Sequence, residues 1–261
     1  MKQAPARSTF NSSKLIRSLS ALQVAEVAES KQPIAERLGQ WLGFNDALAL
    51  FPILHPGSAA ATDAPAVAAA GDSASLRDEL TRVRAVLTRA ITHTDWTELA
   101  AQARIESRPA IADGVAQVTA DFFPYRRHCL ALQRTMAMSI EALRGKARDA
   151  LTGLSPQLKQ LAALDAGLEQ ALALRERDLL GGVPTLLEKR FEQLREAHLQ
   201  ARSDRQTPDD PAQWILPGGW LSALHADLQG VLLAELELRL QPVTGLVEAH
   251  CNYCNEVTKS Q

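Results

Sequence analysis

Three residues near the C-terminus have the types and the spacing of metal ligands. His250, Cys251 and Cys254 lie within about one helical turn, and side chains three or four positions apart on a helix point the same way. Zinc binds imidazole and thiolate groups, but it needs four ligands in a structural site and three in a catalytic one. Further ligands would have to come from His128 and Cys129, far away in the sequence. The simpler interpretation is a helix end with partly buried thiols. A metal or redox site ranks third among the functions considered, after a protein adaptor and a nucleic-acid-associated protein. We predict no cofactor.

A second candidate site is a row of basic side chains. It consists of Arg126, Arg127, Arg134, Arg144, Lys146 and Arg148. Such a row can contact phosphates, but nucleic-acid-binding domains are usually clearly basic, whereas acidic residues elsewhere bring this chain to a net charge of -2. A solvated face or a docking site for an acidic partner is therefore the preferred interpretation, and we assign Arg126, Arg127 and Arg134 to such a docking site. A nucleic-acid-associated function of the Arg126 to Arg148 face is the alternative.

Signatures of common enzyme classes are absent from the sequence. It contains no GxxxxGK(S/T) phosphate loop, no GxSxG nucleophile elbow, no HExxH motif and no dinucleotide fingerprint after a strand. His93, His198 and His225 are isolated, and the paired ExxH ligands of a helical di-metal site are missing. We predict that the protein is not an enzyme.

The composition indicates helices and a soluble protein. Of the 261 residues, 46% are hydrophobic but only 5% are aromatic, because leucine and alanine, which favour helices, dominate the apolar content. No segment approaches the eighteen or more apolar residues of a membrane span, and the N-terminus lacks the apolar run of a secretory signal. Three cysteines do not make a disulfide framework. We expect a cytoplasmic location.

The elements that must position these residues are predicted to be arranged around a long antiparallel helical hairpin. The first arm runs from Pro124 to about Leu151, and its apolar residues step by three or four positions. They are Cys129, Leu132, Met136, Ile140, Leu143, Ala147 and Leu151. Gly153 ends this arm, and Ser155 followed by Pro156 is a strong signal for the start of the next helix. A connection this short forces the two arms to lie antiparallel.

The second arm is predicted to resemble a coiled-coil seam, and it extends to Arg202. Leucines occupy its heptad a and d positions, namely Leu154, Leu158, Leu161, Leu168, Leu172, Leu179 and Leu186. The pair Gly181 and Gly182, followed by Pro184, predicts a break or kink in this arm. Other predicted helices start at Ser75, extend from Ile111 to Phe123, and run from Trp220 through Pro242 towards Cys251.

The first part of the chain is predicted to form a small module of three short helices. One carries Leu15 and Leu19, a second begins near Pro33, and the third, Asn45 to Leu54, is almost wholly apolar. Residues 55–73 are rich in Pro, Gly, Ser and Ala without periodicity, which is typical of a linker. We therefore predict an all-α fold: an extended helical bundle at 74–261, a flexible linker at 55–73, and an N-terminal module at 1–54.

The same N-terminal stretch resembles a known family. Residues Phe10 to Gly43 read FNSSKLIRSLSALQVAEVAESKQPIAERLGQWLG. This stretch is similar to the opening of an uncharacterised proteobacterial family of about this length, known only as a domain of unknown function. The resemblance implies no activity and no catalytic residues. It does imply partners, because members tend to be encoded beside membrane proteins similar to the MotA/TolQ and OmpA/MotB classes.

These observations favour a non-enzymatic helical adaptor or scaffold that binds other proteins. Three short helices cannot bury all of their own apolar surface, since domains below about 60 residues seldom hold a stable core. We predict that the module is the contact to a partner, through Leu15, Leu19, Trp41 and Leu42, with Trp41 as the anchor. The resemblance implies a motor-like membrane complex as that partner. Self-association through the same leucines of the bundle remains open.

The predicted linker can be tested by limited proteolysis. We expect a nonspecific protease to cut the folded chain first within residues 55–73, because such a segment buries too little surface to repay its ordering entropy. Mass spectrometry of the first fragments locates the cut. Protection of this segment as strong as that of the hairpin would contradict the two-part organisation.

Overall fold

Helices account for nearly all regular secondary structure in the part of the chain that the structure describes. The computed structural model describes residues 13–24, 34–55, 69–105, 110–112, 115–117, 120–205 and 210–259. The helices within these residues are Lys14–Ala21 (α1), Ile34–Trp41 (α2), Phe44–Leu54 (α3), Ala69–Thr92 (α4), Trp96–Ile105 (α5), Phe123–Thr152 (α6), Pro156–Gly181 (α7), Val183–Arg205 (α8) and Trp220–Lys259 (α9). A 3-10 turn, Gln213–Ile215, precedes α9. The predicted all-α class is confirmed.

The predicted hairpin is present as α6 and α7. Only three residues separate the two helices, and the Leu158 amide donates a hydrogen bond of 3.2 Å to Ser155 Oγ, which caps α7. Every member of the predicted apolar stripe on α6 is buried, from Cys129 to Leu151. The predicted break is also confirmed, because α7 ends at Gly181 and α8 begins at Val183.

Three sequence predictions differ from the structure. The predicted helix from Ile111 to Phe123 is wrong: residues Ala110–Ala112 (β1) and Val115–Gln117 (β2) form a short antiparallel pair, and the two residues between them are Asp-Gly, a preferred hairpin-turn pair. Helix α4 begins at Ala69 rather than at Ser75. The seven leucines of the second arm are not a buried seam, since they are half-buried or, at Leu179, exposed.

The chain divides into two compact units. The first unit comprises residues 1–29, 88–134 and 181–238, and the second comprises 30–87, 135–180 and 239–261. Helices α4, α6 and α9 contribute residues to both units, as does α7 through its last residue, Gly181. Helix α1 belongs to the first unit, whereas α2 and α3 belong to the second. The predicted boundaries of 1–54, 55–73 and 74–261 stay a prediction, and most of the linker lies outside the described residues.

The first unit has an aromatic core. The ring of Phe191 on α8 lies 5.5 Å from the ring of Phe122, measured between centroids, and 5.3 Å from that of Trp220. Trp214 in the 3-10 turn packs on Trp220 at 5.6 Å. The start of α6, the middle of α8 and the start of α9 are therefore joined through one group of rings.

The second unit combines α7 with parts of α6 and α9. Tyr253 Oη on α9 donates a hydrogen bond of 3.2 Å to the Leu154 carbonyl, which lies just before α7. Farther along, Arg239 of α9 and Glu176 of α7 form an ion pair of 3.6 Å. Residues late in α9 thus lie near the start of α7, and earlier residues lie near its end. Helices α7 and α9 are therefore antiparallel in this unit.

The entry into α9 has no room for a side chain at Gly219. A Cβ atom there would lie 2.3 Å from the Trp214 carbonyl oxygen and 2.4 Å from that of Gln213. We predict that Gly219→Ala lowers the free energy of unfolding by about 2 kcal/mol, because backbone must move to relieve the overlap. Gly230 in the same helix has nothing within 4 Å of such a Cβ. Gly230→Ala should therefore raise the free energy of unfolding by roughly 0.5–1 kcal/mol. Urea denaturation measures the free energy of unfolding of both variants. A change of the same sign in the two variants would contradict this packing.

Candidate docking surface

Helix α3 contacts α7 through the side that carries Leu50 and Ile53. A Cβ atom on Gly167 of α7 would come within 2.7 Å of Leu50 Cδ2 and 3.3 Å of Ile53 Cδ1. The absence of a side chain at Gly167 thus lets the inner side of α3 approach α7 closely. Gln160 Nε2 of α7 donates a hydrogen bond of 2.8 Å to the Ile53 carbonyl. These contacts fix which side of α3 faces α7.

The ends of α3 are set by local chemistry. At its start, the Gly43 amide donates a hydrogen bond of 2.8 Å to the Asp46 carboxylate, which satisfies a free donor at the helix N-terminus. Pro52 lies inside the last turn and removes one backbone donor, and the helix ends two residues later. The His55 amide closes this end on the Phe51 carbonyl at 3.0 Å.

The outer side of α3 is an exposed apolar stripe. Phe44, Leu48 and Phe51 are 80%, 56% and 61% exposed, and their spacing of four and three positions places them on one face. Leu54 at the edge of this face is also exposed, and the His55 ring stacks on Phe51 with 4.6 Å between centroids. The side chain of Asp46 is the only formal charge in α3, and its carboxylate is directed back to the Gly43 amide. The outer face of α3, which we define by Phe44, Leu48, Phe51 and Leu54, is therefore uncharged.

The residues predicted to contact a partner lie mostly elsewhere. Leu15 and Leu19 are buried in the first unit. Trp41 and Leu42 are half-buried, and the Arg175 guanidinium lies over the Trp41 ring at 5.1 Å. None of the four residues that define the outer face of α3 is among the residues predicted to contact a partner. The sequence signal for this face is the almost wholly apolar composition of α3. A helix that is apolar all round and packs through one side must expose apolar residues on the other side.

Many members of the predicted basic row are engaged with side chains of the fold. In the first unit, Arg126 forms an ion pair of 2.8 Å with Glu188 of α8. Arg127 donates a hydrogen bond of 3.1 Å to Gln102, and its guanidinium lies 5.9 Å from the centre of the Phe123 ring. Arg134 is exposed. The last three members of the row form ion pairs with acidic residues of the second unit; they are Arg144, Lys146 and Arg148. The row thus carries less uncompensated positive charge than the sequence suggests.

The C-terminal His and Cys residues are buried close together. Cys254 Sγ lies 3.8 Å from His250 Nδ1, and Cys251 is buried beside them in the chain. Among the described residues, no group of three or more His, Cys, Asp or Glu side chains is placed to hold a metal ion. His128 and Cys129 belong to the first unit, whereas these three residues belong to the second. The metal site at His250, Cys251 and Cys254 stays a prediction.

A buried carboxylate lies near Cys129 in the first unit. Gln133 Nε2 donates hydrogen bonds of 2.9 and 3.1 Å to the two carboxylate oxygens of Glu235, which is fully buried. Burial, and then the negative charge of Glu235, raise the pKa of Cys129 to about 12. The thiol therefore remains protonated at neutral pH and is not an activated nucleophile.

A second buried polar cluster lies between α5, α6 and α9. Tyr125 Oη and His225 Nε2 form a hydrogen bond of 3.2 Å, and the Trp96 ring stacks on His225 with 5.0 Å between centroids. His128 Nε2 is 3.1 Å from Thr94 Oγ1. Burial lowers the pKa of His225 to about 4 and also lowers the pKa of His128. Both imidazoles are therefore neutral at pH 7 and serve as internal hydrogen-bonding groups.

Taken together, the fold and the exposed stripe define an all-α protein whose clearest candidate site, among the described residues, is the exposed outer face of α3. The chain belongs to the family described as "Protein of unknown function (DUF3348)", whose profile matches residues 1–252. The expected membership in an uncharacterised family is thus confirmed. Comparison with curated proteins and with solved structures gave no match. Within the described part of the chain, no helix is both long and apolar enough to cross a membrane.

The buried cluster makes stability depend on pH in a defined direction. The pKa of His225 is about 4 in the folded protein and about 6.5 in an unfolded chain, so below pH 6.5 the unfolded state binds a proton that the folded state excludes. The stabilising effect of the neutral ring is complete above pH 6.5 and is lost as the pH falls towards 4. We predict that His225→Gln reduces the slope of the free energy of unfolding against pH in this window by up to about 1.4 kcal/mol per pH unit. Urea denaturation at several pH values measures the slope, and equal slopes for both proteins would contradict the assignment.

Proposed function

We propose that the protein is a non-enzymatic helical adaptor that binds a partner protein through the outer face of α3. The observation that supports this most is the contrast between the two sides of this helix. Leu50 is buried and, with Ile53, contacts α7 at Gly167, whereas Phe44 and Phe51 are largely exposed. A helix already held by its inner side loses little conformational entropy when its outer side is covered.

The size of the exposed face fits a docking role. Two phenylalanines exposed to this extent present roughly 250 Å² of surface. Leu48 and Leu54 add on the order of 150 Å², for about 400 Å² in all. The largest apolar patch on a monomeric protein is typically about 300–600 Å², and patches of this size are often functional. Anchors at positions i, i+4 and i+7 are also the pattern by which an amphipathic helix binds an apolar groove.

The resemblance of Phe10 to Gly43 directs the search for this partner. Because members of the similar family tend to be encoded beside motor-type membrane proteins, we propose a cytoplasmic component or face of such a complex as the first candidate. Arg126, Arg127 and Arg134 of the first unit form a second contact surface in this proposal, and Arg127 and Arg134 are exposed. We do not favour nucleic acid as the partner, because several of the basic side chains in the row are compensated by nearby carboxylates.

The proposal predicts that one exposed side chain controls partner binding. Tagged wild-type protein, Phe51→Gln and Leu174→Gln are compared by affinity capture from the native cell, followed by quantitative mass spectrometry. Leu174 is a matched control, since it is 67% exposed and also belongs to the second unit. We expect Phe51→Gln to reduce the amount of a specific captured protein by about tenfold or more, and Leu174→Gln to leave it unchanged.

Purified partner should likewise bind equally well to the wild type and to Leu174→Gln, and more weakly to Phe51→Gln. We expect Phe51→Gln to unfold at the same temperature as the wild type, because glutamine is a good helix former at an exposed position. Equal unfolding temperatures exclude loss of fold as the cause of weaker binding. Equal capture by all three proteins would contradict a docking role for the outer face of α3.

A further inference from the structure

An exposed stripe along the first part of α6 alternates apolar and basic side chains. Phe123, Arg127, Leu130 and Arg134 are spaced by four, three and four positions, which places them on one face of the helix. All four are exposed, Phe123 to 54% and Leu130 to 36%. We call this face the mixed stripe of α6, and it lies within the first unit.

The two basic side chains of the mixed stripe keep their charge available for a ligand. The Arg127 guanidinium donates a hydrogen bond of 3.1 Å to Gln102 Oε1 and lies 5.9 Å from the centre of the Phe123 ring. Gln102 is itself oriented by a hydrogen bond of 3.1 Å from its Nε2 atom to Glu98. Among the described residues, no carboxylate forms an ion pair with Arg127 or with Arg134. Arg127 is therefore held in place by uncharged groups, which lowers the conformational entropy that it loses on binding.

We infer that the mixed stripe of α6 binds an acidic amphipathic helix of a partner protein. Arg127 and Arg134 are seven positions apart, which is about 10 Å along the helix axis. Two carboxylates at positions i and i+7 of a second helix have the same separation, and each can accept a bidentate hydrogen bond from an arginine. Side chains on one face of an extended segment are roughly 6.6 or 13 Å apart, so a strand does not match the two arginines.

The apolar members of the stripe complete the description of the partner helix. Leucines interleaved with its carboxylates would cover Phe123 and Leu130, in the way that an amphipathic helix lays its apolar side chains on another protein. The inference rests on the proposed adaptor function, because it assigns the chemistry of the partner at the second contact surface.

Other ligands fit the mixed stripe less well. Phosphates of a nucleic acid would pair with the two arginines but leave Phe123 and Leu130 in water. Recognition of an anionic membrane surface takes clusters of about 4–8 basic residues, whereas the stripe has two. The stripe of a second copy supplies no carboxylate to Arg127 and Arg134.

Binding of two synthetic peptides to the purified full chain tests the inference. Each peptide is three heptads long, and its binding face alternates leucine with a charged residue at the same four-and-three spacing. The charged residue is glutamate in the acidic peptide and lysine in the basic peptide. We expect fluorescence anisotropy to show that the acidic peptide binds the wild type about tenfold or more tightly than the basic peptide does. Arg134→Glu should weaken binding of the acidic peptide by about tenfold or more.

Charge reversal on both sides distinguishes a direct contact from a loss of fold. The double variant Arg127→Glu with Arg134→Glu should bind the basic peptide more tightly than the acidic one, because the complementarity is restored. Leu130→Gln should weaken both matched pairs. Arg17→Glu on α1 is the matched control, since Arg17 is also exposed and belongs to the first unit. This control should bind the acidic peptide as the wild type does.

Three results would overturn the inference. They are no binding of the acidic peptide up to about millimolar concentration, equal preference of the wild type and the double variant for the two peptides, and an Arg134-dependent DNA duplex that binds more tightly than the acidic peptide. Phe51→Gln separates the inference from the docking role of α3. Cellular capture lost in Phe51→Gln, in a protein that does not bind the acidic peptide, overturns only the inference. Peptide binding and capture that are both unchanged in Phe51→Gln support the mixed stripe and contradict the docking role of α3.

Discussion

Helix α7 is held on two opposite sides in the second unit, and the position of α3 depends on this. On one side, Asp165 and Glu169 of α7 form ion pairs of 2.6–2.9 Å with Arg144 and Arg148 of α6. Gly167 lies between the two acids in sequence, so at about 100° per residue it points to the opposite side, where it receives α3. Because the four charged groups are shielded by the protein and arranged as a network, they fix the register of α6 and α7 more firmly than an isolated surface ion pair would.

The ion pairs also determine which side of α7 is available to α3. Burial alone would raise the pKa of Asp165, but hydrogen bonds from Arg144 and Arg148 outweigh it and lower the pKa, so the carboxylate stays charged at neutral pH. With that side of α7 committed to α6, α3 packs on the opposite side through Leu50 and Ile53. In an α3 that is apolar almost all round, this single contact leaves Phe44 and Phe51 exposed. The proposed docking role is argued from that geometry.

Much of the fold could be predicted from local patterns, whereas the candidate site could not. The strict three-and-four spacing on α6 predicted its buried stripe, and Ser155 with Pro156 predicted the start of α7, because both depend only on neighbours in the sequence. Apolar content alone cannot tell which side of a helix is covered, so the sequence does not distinguish the buried Leu15 and Leu19 from the exposed Phe51. The short strand pair β1–β2 was missed because a run of alanine and β-branched residues fits a helical period as well.

The most direct test of this account is hydroxyl-radical footprinting of the isolated chain at low concentration, because it measures the accessibility of each phenylalanine ring. Phe122 and Phe191, which are buried in the first unit, serve as internal references. The account predicts that Phe44 and Phe51 are oxidised much faster than these two, and that adding the partner protects them. Oxidation of Phe44 and Phe51 as slow as that of Phe191 in the dilute, partner-free protein would mean that the outer face of α3 is already covered within the chain, and would contradict the docking surface.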